Sequence, residues 1–229
     1  GFHEDLLRWY LATNGGFQQD VDFSGEKFQE RVNGELVGTI GNFCYRSLLF
    51  AHRNYEGTPD APLSAEVEER IEQAIDEFTA AVNDYSVRET GNAALDLAAF
   101  GNEYIQRNEP WKLVDEEPEE ASQVIRDCVQ VAKALAVLVQ PLMPGTAAAL
   151  WEQLGEESAV AAAELDAALS DPSADFGGEP AELFTKVEDD QVAELNEKLQ
   201  ARVEEASDDG ESEADSDDGG EAPEFDPEP

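Results

Sequence analysis

Phe28-Gln29-Glu30-Arg31-Val32-Asn33-Gly34-Glu35-Leu36-Val37-Gly38-Thr39-Ile40-Gly41-Asn42-Phe43-Cys44-Tyr45-Arg46-Ser47-Leu48-Leu49-Phe50 is the stretch whose reading decides the fold. Phe28, Val32, Leu36, Ile40, Phe43 and Phe50 recur at near-helical spacing, which predicts a long helix with one buried face. Ser24 is placed to cap its start, and the helix is expected to run to about Asn54. Gly34, Gly38 and Gly41 interrupt it at about 1 kcal/mol each against Ala. Glycines kept at that cost allow close helix packing or backbone approach.

Outward from this helix the same period recurs. Residues 3–13 read as a short amphipathic helix with Leu6, Leu7, Tyr10 and Leu11 on its apolar side, followed by a turn-rich loop from Asn14 to Phe23. Glu56-Gly57-Thr58-Pro59-Asp60-Ala61-Pro62 is a break. A helix over 64–85 buries Val67, Ile71, Ile75, Phe78 and Val82. Ser86-Val87-Arg88-Glu89 has the capping-box pattern and opens a third helix, about 87–108, ended by Pro110. A fourth spans about 118–140 with Val124, Ile125, Val129, Ala132, Leu135 and Leu138 inward, and a short one leads through Ala148 to Leu154. No segment alternates with period two. The expected architecture is all-α, a helical bundle with short connections.

Beyond Gly155 the character changes. The Ala-rich 158–169 stretch reads as a weak helix inside a linker that spans 156–182, and 183–206 as a C-terminal segment whose helix carries Val187, Val192, Leu195 and Leu199. From Ser207 to Pro229 there are 11 acidic residues and no basic ones, a composition that predicts a disordered acidic tail. The divisions are therefore 1–23, an end piece joining something upstream; 24–155, the bundle; 156–182, linker; 183–206, C-terminal helix; and 207–229, tail.

Charge dominates the composition: 53 acidic against 14 basic residues, a net −39. Acids crowd the predicted helices as well as the tail, as in Glu66-Val67-Glu68-Glu69-Arg70-Ile71-Glu72. Such a surface suits molar salt, where the Debye length shrinks to about 3 Å and self-repulsion is screened. No apolar run approaches the length of a membrane span, and the start has no signal-peptide pattern. Leu6-Leu7-Arg8-Trp9-Tyr10-Leu11 already reads as mid-domain, so the chain is expected to be a piece of a longer, cytoplasmic protein. Cys44 and Cys128 lack metal-ligand spacing and sit on apolar helix faces as small core residues. There is no glycine-rich phosphate loop, nucleophile set or isolated acid pair, so no catalytic residue and no cofactor or metal site is assigned here.

Two constellations stand out. Asn42 and Arg46, four residues apart, project from one helix face, and Leu49 and Arg53 continue the stripe. An amide beside a guanidinium can read base edges, but spacing alone equally describes a surface Asn and an Arg paired to a neighbouring acid. Asn102-Glu103-Tyr104-Ile105 leads to Pro110-Trp111, where a loop Trp is either a staple onto the bundle or a platform for an unpaired base.

In order and separation, Asp5-Leu6-Leu7-Arg8-Trp9-Tyr10-Leu11, Asp22-Phe23-Ser24, Val32-Asn33-Gly34-Glu35-Leu36-Val37-Gly38, Gly41-Asn42-Phe43-Cys44-Tyr45-Arg46, Asn102-Glu103-Tyr104-Ile105, Pro110-Trp111 and Leu183-Phe184-Thr185-Lys186-Val187-Glu188 resemble methionyl-tRNA synthetases. The resemblance covers about residues 5–155 and 183–200. It implies the class I aminoacyl-tRNA synthetase anticodon-binding bundle, with methionine tRNA as partner. Asn42 and Arg46 would then contact the first anticodon bases and Trp111 would stack on the wobble cytosine. Asn102, Tyr104 and Pro110 would position the Trp111 loop, and Arg53 would support the same face. This face is expected to be less acidic than the rest.

Gly25 departs from the aromatic usual after Asp-Phe-Ser, and the family's HIGH-type and KMSKS-type motifs and zinc-knuckle cysteines are absent. ATP with magnesium, and zinc, are thus implied only for a catalytic domain outside this sequence, which is also the implied partner of residues 1–23. The helix after Leu183-Phe184 is expected to lack its catalytic-side partner and fray. The rival readings are the anticodon domain of a sister class I enzyme (isoleucyl, valyl, leucyl or cysteinyl) and a non-enzymatic acidic helical module for basic proteins.

Overall fold

The computed structural model describes residues 3–14 and 23–214, with side chains described as far as 202. The elements are α1 (Glu4–Asn14), α2 (Gly25–Arg31), a π-helical stretch (Val32–Gly41), α3 (Asn42–Tyr55), α4 (Ala65–Asn83), α5 (Val87–Asn108), a one-turn α6 (Pro110–Leu113), α7 (Pro118–Val139), α8 (Pro144–Gln153), two 3-10 turns (Val160–Ala162 and Leu165–Ala168) and α9 (Asp189–Ala214). Among the described residues there is no strand, only an isolated bridge between Gly57 and Asp175. The all-α expectation stands.

The long first helix is continuous, capped by the Ser24 hydroxyl, which accepts from the Lys27 amide at 3.1 Å. Its middle, however, is π- rather than α-helical. Phe28, Val32, Leu36 and Ile40 are spaced strictly by four and all are at most 1% exposed. At 3.6 residues per turn a strict spacing of four drifts by about 40° per step, whereas wider turns keep such a row on one face. Thr39 marks the wide turn by donating its hydroxyl to the Gly34 carbonyl, five residues back.

α7 is the axis of the bundle, buried on all sides from Val124 to Val139. α3 and α5 pack along it, and α4 pairs with α5. A core helix carrying Arg126, Gln130 and Lys133 demands a partner for each, and residues 156–173 supply them. Arg126 pairs with Asp171 at 2.8 Å, Gln130 donates to the Ala168 and Ser170 carbonyls, and Lys133 meets Glu156 at 2.9 Å and the Asp171 carbonyl. The stretch expected as a linker is thus a strap over the polar stripe of α7, with Val160 and Ala168 buried beneath it. Its Ala-rich part forms the two 3-10 turns instead of a weak helix. Gly155, at φ +72°, lets the chain turn into the strap, and a Cβ there would lie 2.0 Å from the Asp175 carbonyl oxygen.

Other differences have local causes. Trp9 takes the inward place expected of Leu11, and its indole nitrogen donates to Glu35 at 2.7 Å. Val82 is half exposed, with Ala81 inward in its stead. Ser86 forms no side-chain cap on α5, and Glu89 instead accepts from Asn92 at 3.0 Å. Asp5 is buried at the N-terminus of α8, where it accepts from the Thr146 amide and hydroxyl, so α1 shares the bundle's core.

Residues 183–188 run extended, not helical. Asn33 grips the Val187 backbone with both ends of its amide, at 2.9 and 2.8 Å. α9 then packs on α2, with Val192 buried and Asn196 reaching the Gly25 amide. The helix expected to fray has a partner within this chain because small Gly25 leaves room for it. α9 continues to Ala214, past the expected start of the tail at 207. The loop expected at 15–22 and the tail from 215 onward lie outside the described residues.

Cys44 and Cys128 are free and buried on facing helices. Burial pushes the Cys44 thiol up to about 12 and, with the Asp127 carboxylate adding to it, raises Cys128 further still. Both thiols should resist alkylation in the folded chain at pH 8 and react only on unfolding. The folded state keeps these protons while unfolded thiols release theirs from about pH 9, so stability is full below pH 9 and falls as pH rises toward 12. A pH-dependent denaturation series with both cysteines replaced by Ala, which should flatten that alkaline decline, checks it.

Candidate nucleic-acid interface

α3 begins at Asn42, so the π stretch sets the phase in which Asn42 and Arg46 face out. Asn42 donates its amide N–H to the Asn102 carbonyl oxygen at 3.0 Å. Asn102 in turn donates to the carbonyls of Thr39 and Ala98, both at 3.0 Å. With its own N–H groups engaged, Asn102 has only an acceptor to offer, which fixes the Asn42 amide and leaves Asn42 Oδ1 without a hydrogen-bond partner among the described residues. The residue expected to position the Trp111 loop instead orients Asn42.

α5 ends at Asn108, and Glu109 takes a left-handed backbone (φ 43°, ψ 54°) that reverses the chain. Pro110 is buried as the first residue of α6, where its missing N–H costs nothing and its fixed φ suits a helix start. Trp111 therefore sits on a helical turn rather than in an open loop, and remains 37% exposed. The turn is closed by the Lys112 amide on the Glu109 carbonyl (2.8 Å) and the Lys112 ammonium on the Glu109 carboxylate (2.7 Å).

The guanidinium of Arg46 lies over the Trp111 ring, 5.9 Å from its centroid. The face of α3 and the turn after α5 thus meet: Arg46 touches Trp111, and Asn42 stands one turn back on the same stripe. Arg53 is exposed two turns beyond on the same stripe.

Tyr104 braces this end from beneath. Its hydroxyl donates to Asp127 at 2.6 Å, its carbonyl accepts from Asn108 at 2.9 Å, and Arg107 lies over its ring. Burial and the adjoining Asp127 carboxylate push the Tyr104 phenol well above its ordinary value. Asp127, itself buried, also accepts from the Ser64 amide at 2.9 Å and so ties α7 to α5 and to the start of α4. Sequence reasoning missed it among 53 acids. The available signal was an acid flanked by Ile125 and Cys128 on a helix expected to be buried.

Among the described residues Arg31, Arg70, Arg107, Lys112, Arg126, Lys133 and Lys198 each lie within 4.0 Å of a carboxylate. Arg46 and Arg53 have none, and two nearby acids, Glu66 and Glu109, are taken by Arg107 and Lys112. An amide acceptor, a free guanidinium and a partly exposed indole on one bundle end can hold an unpaired base by edge and face.

The helical bundle is of the anticodon-binding class found in class I aminoacyl-tRNA synthetases, as the comparisons with known families show. The family described as the anticodon binding domain of methionyl tRNA ligase matches residues 55–204, and that of tRNA synthetases class I (M) matches residues 1–48. The chain belongs to the methionyl-tRNA ligase anticodon-binding family. It is 63% identical over 199 residues to the methionine–tRNA ligase of Haloarcula marismortui, covering 87% of this chain and 28% of that protein. It is 59% identical over 218 residues to that of Natronomonas pharaonis, covering 95% and 31%. The chain thus spans about 30% of these relatives' length.

Among solved structures, methionyl-tRNA synthetase of Mycobacterium tuberculosis superposes with a TM-score of 0.70 in its free state, at 23% identity over 80% of this chain and 39% of that one. With methionyl-adenylate bound the TM-score is 0.71, at 22% identity over 79% of this chain and 37% of that one. These likenesses bear on the fold.

Proposed function

We propose that this chain is the anticodon-reading part of a methionine–tRNA ligase, with methionine tRNA as its partner and Asn42, Arg46 and Trp111 as the reading residues. The observation that carries the reading is the meeting of Arg46 with Trp111 beside an Asn42 amide whose oxygen is held free by Asn102. An acceptor next to guanidinium donors matches the Watson–Crick edge of cytosine, which offers an exocyclic amino group beside ring acceptors. Uracil presents a carbonyl and an N–H at those places and meets Asn42 Oδ1 with an acceptor. Trp111 supplies the stacking face, and Tyr104, Pro110 and Asn102 hold these groups in place.

A protein of net −39 gains little from counterion release, and molar salt removes most of that contribution in any case. Stacking, worth about 1–3 kcal/mol per base, and short hydrogen bonds survive screening. The acidic surface is accordingly read as adaptation to a salt-rich cytoplasm, and no described helix is long and apolar enough to cross a membrane. Methionine activation with ATP and magnesium is assigned to the part of the ligase outside this sequence. Among the described residues no three His, Cys, Asp or Glu cluster to hold a metal.

Fluorescence gives a direct test, because Trp9 and Trp151 are buried and only Trp111 is open to a ligand. In molar KCl a methionine-anticodon stem-loop should quench Trp111 emission saturably, and a loop with the wobble cytosine changed to uracil should do so only at much higher concentration. Equal quenching by both loops would overturn the assignment.

A further inference from the structure

On the far side of Asn42 from Arg46 lies a second cleft, of about 260 Å³, bordered by Asn42, Tyr45, Phe184, Glu182 and Lys186. It exists because the extended 183–188 segment docks on the π stretch. Phe184 sits on Gly41, where a Cβ would approach its ring to 2.9 Å, and Asn33 fixes the backbone three residues on. Lys186 is exposed and has no carboxylate within 4.0 Å among the described residues. Tyr45 is half-buried and offers a ring beside it. Glu182, also exposed on this cleft, disfavours a second anionic group there.

We propose that this cleft is a second RNA subsite, which takes the unpaired nucleotide next to the one on Trp111, with its base against Tyr45 and its phosphate on the Lys186 ammonium. An aromatic ring, an amide and one free cation in a pre-built cleft are the complement of a single splayed-out nucleotide. The line Arg53, Arg46, Asn42, Lys186 then gives the RNA a path across the bundle end on which no described cation is neutralised. The proposal rests on the anticodon-reading assignment.

The test is a salt series from about 1 to 3 M KCl, a range that keeps surface charges screened, with the methionine-anticodon stem-loop and the variants Lys186→Ala and Lys198→Ala. A lost phosphate contact, already largely screened in this range, should weaken binding by about threefold at the lowest salt, flatten the slope of log K against log[KCl] by about 0.7, and leave discrimination between anticodons unchanged. Lys198→Ala, on the α9 surface and paired with Glu194, should match the parent chain. A methylphosphonate at the phosphate next to the stacked base should cost the parent chain as much as Lys186→Ala does, and cost that variant nothing further. Selective binding by the parent with Lys186→Ala indistinguishable from it overturns the second subsite alone. Absence of selective binding by the parent overturns this proposal together with the anticodon assignment.

Discussion

Trp111→Ala should weaken binding of a methionine-anticodon stem-loop by about 10- to 100-fold, the range set by base–aromatic stacking of about 1–3 kcal/mol. The effect should be on binding alone. Trp111 is partly exposed, makes no hydrogen bond among the described residues, and stands on a turn whose closure depends on Glu109, Pro110 and Lys112. Folding stability should therefore stay within about 0.5 kcal/mol of the parent. Trp111→Phe should recover most of the affinity, since a ring remains. Because Arg46 lies on the same indole, the losses from Arg46→Ala and Trp111→Ala should sum to more than the double variant shows. Titration calorimetry in molar KCl checks each value, and a loss below threefold for Trp111→Ala would return that residue to a packing role.

The second large effect is on stability. Asp127→Ala should destabilise the chain by about 3 kcal/mol, because it leaves the buried Tyr104 hydroxyl and Ser64 amide without an acceptor, at about 1–3 kcal/mol for each orphaned group. Asp127→Asn keeps a carbonyl acceptor and should cost about 1 kcal/mol. Three helices meet at this one side chain, so the loss should appear as a shift in denaturation midpoint with little change in slope. A loss below 1 kcal/mol for the Ala variant would mean that water or a neighbour satisfies both donors, contrary to the packed geometry.

The two residues also mark what the sequence revealed and what it did not. Trp111 was singled out by its place after Pro110, but as a loop residue open to a staple or a stacking role; the resemblance alone assigned it to a base, and the helical turn that Pro110 opens was not foreseen. Asn42 and Arg46 were legible as a pair four apart, but the orientation of Asn42 was not, since Asn102 lies 60 residues away and only tertiary packing brings the two amides together. Asp127 was masked by the abundance of acids, which makes every carboxylate look like surface. The helices themselves followed from periodicity. Their π segment did not, because the same six apolar positions satisfy a long α-helix as a first approximation, and the strict four-residue spacing discriminates only when the drift is counted.

The strap is the instructive miss. Residues 156–182 have a linker's composition, yet Arg126, Gln130 and Lys133 on α7 cannot remain buried unless something polar covers them, and the strap's carbonyls and acids do so. A charged stripe on a helix predicted to be the bundle's core was the hint that the chain must return over it. The docked 183–188 segment and Asn33 were both quoted for their resemblance, but nothing local in either linked the Asn33 amide to the backbone it holds 154 residues away.

The most direct measurement is the dissociation constant of the unmodified chain, in molar KCl, for two stem-loops that differ only in carrying the methionine or the isoleucine anticodon. The account predicts preference for the methionine loop by at least tenfold, about 1.4 kcal/mol of base reading. Equal affinity for both, with the bundle folded, would contradict it.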